Sequence, residues 1–251
     1  MSKIYKPEIF YSDDEDFAAM AAGILFEHFE KATNPLVSFP TGSTPQGTYK
    51  ELVARYADRR DVWDNMRYLC LDDYAGLPEN DERLFKNWLG RQLLDPLKIK
   101  NRIVFNSAAS DTEAEATRMQ DYLDSNGPVD VMILGIGGNG HLAFNEPGSD
   151  FDSPTRLVEL AQDTIESNAR YWGGDISRVP HTGYTLGLGD IMKAKKIFLL
   201  VTGEGKADIL DKAINGDVTE SVPASILQNH PNVTIIADKS ALFKFKGPKH
   251  G

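Results

Sequence analysis

With a single cysteine, Cys70, the 251-residue chain cannot close an intramolecular disulfide, so its expected home is a reducing cytoplasm. Cys70 lies inside the apolar run Tyr68-Leu-Cys-Leu71. A strand interior offers a thiolate neither exposure nor positive neighbours, which predicts a small buried hydrophobe rather than a nucleophile. Long hydrophobic runs are missing as well. Nothing approaches the roughly 18 consecutive apolar residues that span a bilayer, and the stretch from Met1 to Pro7 lacks the apolar centre of a signal peptide. No membrane role is expected. Positive charge is in deficit, with 27 Lys and Arg against 37 Asp and Glu for a formal net charge of −10. That balance repels polyanions at long range, and no basic cluster interleaved with aromatics offsets it, so no nucleic-acid partner is expected. A single phosphate on a small molecule needs only a few local donors. Histidine is sparse, and no two of the five have ligand spacing, so no metal site is expected. Internal repeats, low-complexity tracts and interdomain linkers are likewise absent, and one domain over 1–251 is the economical reading.

The most informative stretch runs from Val131 to Ser149. The apolar segment Val131-Met-Ile-Leu134 has the length and composition of a buried strand. It opens into Gly135-Ile-Gly-Gly-Asn-Gly140 and then presents His141 and Glu146. The glycines satisfy a dinucleotide-binding pattern, but Pro147 arrives too soon for a crossover helix and no acidic residue closes a following strand at the required distance. The His and the Glu therefore weigh more than the glycines.

Taken in order, the chain predicts a strand over 4–10 and an amphipathic helix from Phe17 to Phe29 that is capped by the acidic run 13–16. His28, on or beside the apolar face of that helix, reads as structural. A short strand at 35–39 runs into Pro40-Thr-Gly-Ser-Thr-Pro45 and a helix over 46–57. Free N–H groups of a helix start, with hydroxyls from Thr41, Ser43 and Thr44 around Gly42, can hold a phosphate or merely cap the helix. A strand at 68–71 ends in Asp72-Asp73. Adjacent carboxylates at a buried strand end repel and are costly to desolvate, which raises the proton affinity of one of them. A helix over 82–94, a strand at 102–105 and a helix over 111–123 follow, stopped by Gly127-Pro128. Late in the chain, Lys196-Ile-Phe-Leu-Leu-Val201 leads to Thr202-Gly-Glu-Gly-Lys206 and another helix, and Lys206 at a helix start is better explained by an anion than by the helix dipole. A final strand is expected at 233–236 and a basic tail at 244–251. The segment 151–179, irregular and carrying Arg170 among aromatics and glycines, suits a cover. Strands and helices alternating about every 30 residues argue for an α/β fold, a mostly parallel sheet with helices on both faces, whose ligands bind at the carboxyl ends of the strands. Four such ends carry polar groups.

Phe39-Pro-Thr-Gly-Ser-Thr-Pro45, Leu71-Asp-Asp-Tyr-Ala-Gly-Leu77, Gly138-Asn-Gly-His-Leu-Ala-Phe-Asn-Glu-Pro-Gly148 and the late lysine together resemble the glucosamine-6-phosphate deaminases and the related galactosamine-6-phosphate isomerases. The likeness extends from near residue 36 to near 236. It implies the Rossmann-like fold shared with 6-phosphogluconolactonases, and an aldose–ketose isomerisation in amino sugar catabolism that releases ammonia. The product is a ketohexose 6-phosphate, and neither metal nor organic cofactor is needed. By the resemblance, Asp72 is the general base between C2 and C1, and His141, held by Glu146, assists ring opening. Thr41 to Thr44, Arg170 and Lys206 hold the phosphate. The chemistry agrees: one carboxylate can reach two adjacent carbons, and imidazole exchanges protons near neutral pH. The partner is a small sugar phosphate, with room left for a homo-oligomer.

Two departures from the family pattern stand out. Asn139 occupies a position where many deaminases have Asp; it can orient the imidazole but cannot balance its charge. With Leu200 to Lys206 and Val222-Pro-Ala-Ser225, it makes the chain look closer to the galactosamine-6-phosphate branch. In the allosteric deaminases an Arg and a Lys after the Glu-Pro motif bind an acetylated effector; here the Arg matches as Arg156, but the Lys position holds Val158. N-Acetylglucosamine 6-phosphate is therefore expected to leave the rate curve unchanged, and conversion of a sigmoidal curve to a hyperbolic one would contradict this. Rival readings are a 6-phosphogluconolactonase-like lactonase, a non-catalytic sugar-phosphate-binding domain, and a metal hydrolase built on His141, Glu146 and Asp72.

Overall fold

The computed structural model describes residues 3–245; all but the first two residues of the basic tail at 244–251 lie outside them. Strand β1 (Glu8–Ser12) is followed by helix α1 (Phe17–Phe29), β2 (Leu36–Ser38), α2 (Ser43–Tyr56), α3 (Arg60–Trp63), β3 (Arg67–Leu69), β4 (Asp72–Tyr74), α4 (Phe85–Leu89), β5 (Asn101–Ile103), α5 (Thr112–Asn126) and β6 (Val131–Leu134). Then come β7 (Arg156–Glu159), α6 (Gln162–Asn168), β8 (Thr182–Thr185), α7 (Leu188–Ile191), β9 (Lys196–Val201), α8 (Ala207–Asn215) and β10 (Val233–Asp238).

Seven strands form one sheet in the order β1-β10-β9-β6-β2-β3-β5, and every neighbouring pair is parallel. All of β6 and β10, and all of β9 after Lys196, is buried. Burial on both faces is why these strands read as continuous apolar runs rather than alternating ones. One apolar core runs through the sheet and its helices, and Trp63, Tyr49 and Tyr68 are among its largest fully buried side chains. Because the sheet is parallel, the carboxyl ends of β2, β3, β6 and β9 share one edge. Among the described residues no helix is long and apolar enough to cross a membrane.

Asp72-Asp73 is not the end of the strand expected at 68–71, which stops at Leu69. Asp72–Tyr74 is a strand of its own, β4, in a second, three-stranded sheet of order β4-β8-β7, antiparallel throughout. In that register Asp72 faces Thr185. The Thr185 hydroxyl in turn accepts the Phe144 N–H at 3.2 Å and lies 3.4 Å from the Asn145 amide. Asn145 also donates to the carbonyls of Leu142 at 2.9 Å and Leu186 at 2.8 Å. The small sheet thus locks the loop bearing Glu146 beside the strand bearing Asp72.

Two local expectations are corrected. The acidic run 13–16 does not cap α1: Asp16 stands at the N-cap without a side-chain bond. Asp13 instead pairs with Lys239 at 2.7 Å and Asp14 accepts from Ser240 at 2.8 Å, so these carboxylates tie down the turn after β10. The helix expected over 82–94 is α4 followed by a π-helical turn, Gly90–Leu94. By contrast, Asp111 caps α5 by accepting the Ala114 N–H at 2.9 Å.

Candidate active site

The four strand ends open onto a cavity of about 650 Å³, within the range of pockets that enclose small organic ligands. Thr41 to Thr44, Asp72, His141, Arg170 and Lys206 all line it. Glu146 and Asn139 stand behind the wall and reach the cavity through His141.

One end is built for an anion. Gly42 precedes α2 with φ of 113°, in a region that side chains avoid, so the chain can swing from β2 straight into the helix. No side chain caps α2, which leaves its leading N–H groups and the partial positive charge of a fourteen-residue helix at the cavity. The loop is held from both sides. The Tyr49 hydroxyl donates to the Pro40 carbonyl at 2.6 Å, and the Thr44 and Thr202 hydroxyls meet at 3.0 Å. Lys206 reaches in and donates to the Ile136 carbonyl at 2.7 Å. Burial and then the nearby Arg170 push its ammonium below the usual lysine range. The Arg170 guanidinium donates to the Tyr171 hydroxyl at 2.9 Å. Among the described residues neither cation is paired with a carboxylate, so both remain available to an anion.

At the other end the two carboxylates behave differently. Asp73 is fully buried and accepts three backbone N–H groups, from Tyr74 at 2.9 Å, Phe85 at 2.8 Å and Lys86 at 3.1 Å. It therefore holds the start of α4. Burial pushes its carboxyl up to about 6, and the three N–H donors and Lys86 limit that rise. Asp72 is 8% exposed and accepts no hydrogen bond through its side chain among the described residues. Burial and then the neighbouring Asp73 push it well above the ordinary aspartate range. Cys70 is buried and its thiol donates to the Asp72 carbonyl at 3.2 Å; burial raises its proton affinity too far for a nucleophile.

His141 faces the cavity on a turn made possible by Gly137, where an added Cβ would lie 2.3 Å from the imidazole. Glycine is thus needed there for the ring to lie against the backbone. Nδ1 stands 3.3 Å from Glu146 Oε2, close enough to interact but without the alignment of a hydrogen bond. Asn139 does not bond to the imidazole as its sequence position allowed. Its amide donates to Glu146 Oε2 at 2.9 Å, and its carbonyl oxygen accepts the His141 backbone N–H at 3.2 Å. Asn139 orients the carboxylate and the turn rather than the ring. Burial pushes the Glu146 carboxyl up, but the facing imidazole and the donors Thr164 and Asn139 outweigh it and hold the carboxyl below its usual value.

The expected cover, 151–179, is divided by the structure. Thr164, Ser167, Asn168, Arg170 and Tyr171 line the cavity, whereas Arg156 to Glu159 form β7 in the small sheet. Arg156 is engaged there, donating to Asn145 Oδ1 at 2.9 Å and to the Ser149 hydroxyl and Pro154 carbonyl at 3.3 Å each. Sequence reasoning missed Thr164, Asn168 and Thr202. Thr202 lies in the stretch that leads to Lys206 but carries no signal of its own there, and each of the three matters through a partner on another element. Among the described residues, no three of His, Cys, Asp or Glu are grouped as metal ligands.

A family model described as glucosamine-6-phosphate isomerases/6-phosphogluconolactonase matches residues 12–236. The chain is 37% identical over 238 residues to the glucosamine-6-phosphate deaminase of Shouchella clausii, covering 94% of this chain and 96% of that one. It is 38% identical over 230 residues to that of Oceanobacillus iheyensis, covering 91% and 92%. Among solved structures, a monomeric glucosamine-6-phosphate deaminase superposes with a TM-score of 0.89 at 33% identity, covering 94% of this chain and 99% of that one. A 6-phosphogluconolactonase from Trypanosoma brucei reaches 0.77 at 20% identity, covering 94% and 98%, a likeness of fold.

Proposed function

We infer the activity of the cavity from one premise: the chain belongs to the glucosamine-6-phosphate isomerase/6-phosphogluconolactonase family. Within that family the proposed reaction converts an amino-hexose 6-phosphate and water to a ketohexose 6-phosphate and ammonia. The observation that carries this reading is the meeting in one cavity of an isolated carboxyl, Asp72, an imidazole braced by a carboxylate, and two cations without anions beside a helix start.

The phosphate binds the Thr41 to Thr44 loop, Arg170 and Lys206, which fixes the sugar several atoms from the reacting carbons and supplies orientation. His141 moves the proton that opens the ring. Asp72 takes the proton from C2 and returns it to C1, leaving a C2 iminium; water adds there and ammonia leaves. Asp73 cannot share this work, because its oxygens are committed to backbone N–H groups. A lactonase needs only water activated against one ester carbon, so it gives no reason for a desolvated carboxyl opposite the imidazole.

The relatives named above are called glucosamine-6-phosphate deaminases, which supports the gluco epimer; the pattern around Asn139 favours the galacto epimer. A side-by-side assay of ammonia release decides. Glucosamine 6-phosphate is expected to turn over at least about tenfold faster, the scale of discrimination that one or two pocket contacts provide. Faster release from galactosamine 6-phosphate would restore the galacto assignment. Acid from 6-phosphogluconolactone, with no ammonia from either amino sugar, would replace the deaminase reading with the lactonase one.

A further inference from the structure

Helix α6 is fastened at both ends to the elements that carry the reaction. Near its start the Thr164 hydroxyl donates to Glu146 Oε1, while Asn139 holds Oε2 at 2.9 Å. Thr164 is 4% exposed and lies at the cavity wall. At the other end of the helix the Asn168 amide donates at 2.8 Å to the hydroxyl of Tyr74, a residue of the same short strand as Asp72. The next turn, Ala169–Trp172, carries Arg170. Beneath it Ile165, Ala169 and Trp172 pack in a small apolar cluster with Tyr74 and Phe144, apart from the main core. The short helix α6 and the turn after it thus connect a phosphate-facing cation to the carboxylate behind the imidazole.

We propose that Thr164 is a positioning residue that makes the alignment of Glu146 with His141 depend on the seating of α6, so that phosphate engagement by Arg170 also sets the ring-opening pair. The proposal rests on the deaminase reading. Among the described residues, one oxygen of Glu146 is fixed by Asn139 and the other only by Thr164. Without the hydroxyl, that carboxylate keeps its place behind the wall but loses the bond that fixes its rotation, and the imidazole loses a defined partner. The substrate still binds, because the Thr41 to Thr44 loop and Lys206 stand on other elements and Arg170 keeps its own turn, Ala169–Trp172.

The test compares Thr164→Val, which keeps the branched shape, with Thr164→Ser, which keeps the hydroxyl, in the full chain with the hexosamine 6-phosphate that the parent consumes. Thr164→Val is expected to lower kcat by about ten- to a hundredfold, the scale of one hydrogen bond to a charged group, with KM within about threefold of the parent. Thr164→Ser is expected to retain kcat within about threefold. An unchanged kcat in Thr164→Val overturns the proposal. So does a raised KM at constant kcat, which would make Thr164 a substrate contact, and so does an equal loss in both variants, which would assign the effect to packing. A parent that releases no ammonia would instead refute the underlying function.

Discussion

Asp72→Asn is expected to stop ammonia release, lowering kcat by about a thousandfold or more, while making the protein more stable at alkaline pH. The two effects have one origin. Burial and Asp73 raise the Asp72 carboxyl far above its value in an unfolded chain. The folded state therefore holds that proton more tightly than the unfolded state does. Its contribution to stability is fully present below the unfolded value near 4 and is lost as pH rises through the folded value. Asparagine never ionises, so the variant avoids this loss. The difference in Tm between variant and parent should be small at low pH and widen as pH rises, by about 2–4 °C for each kcal/mol recovered. A variant less stable than the parent at pH 8, or an offset independent of pH, would show that the carboxylate is better solvated than its burial indicates. The same raised affinity places the acidic limb of kcat/KM above the ordinary aspartate range, since a base must be ionised to act.

Lys206→Met should act almost entirely on binding. Methionine keeps most of the stem and removes the charge, so one charge-assisted contact to phosphate is lost, and KM is expected to rise by about ten- to a hundredfold with a smaller change in kcat. Inorganic phosphate, measured as a competitive inhibitor, should weaken in parallel. Because burial and Arg170 lower the proton affinity of Lys206, affinity in the parent should fall as pH rises through a value below the usual lysine range, and that limb should be missing in the variant. An unchanged KM would mean that Arg170 and the α2 start hold the anion without it.

Much of this arrangement was legible in the chain because it is written locally. Apolar runs marked β6 and β9, glycines marked where β2 and β6 turn, and the rule that parallel sheets bind at their carboxyl ends placed Thr41 to Thr44, Asp72, His141 and Lys206 on one edge. What stayed hidden depends on partners brought together by folding. Asp72–Tyr74 is too short and too acidic to announce a strand; its pairing with β8 supplies the reason for one. The Thr164 hydroxyl sits in an ordinary helix start and gains meaning only from Glu146. Asn139 lies beside His141 in the turn, yet its side chain meets Glu146 and a backbone N–H rather than the ring, a choice of rotamer that no sequence pattern encodes.

The edge of the large sheet has a consequence for synthesis. Among the described residues strand β1 pairs only with β10, so β1 waits for a strand more than 200 positions later in the chain before it finds a neighbour. Strands β2, β3 and β5 can associate earlier, but the Thr44–Thr202 contact that braces the loop after β2 joins residues 158 positions apart. Long-range closures of this kind are slow and leave apolar strand edges exposed while they wait. The nascent chain thus carries an unpaired β1 until β10 has been made, and the cavity takes shape only after β9 has joined the sheet.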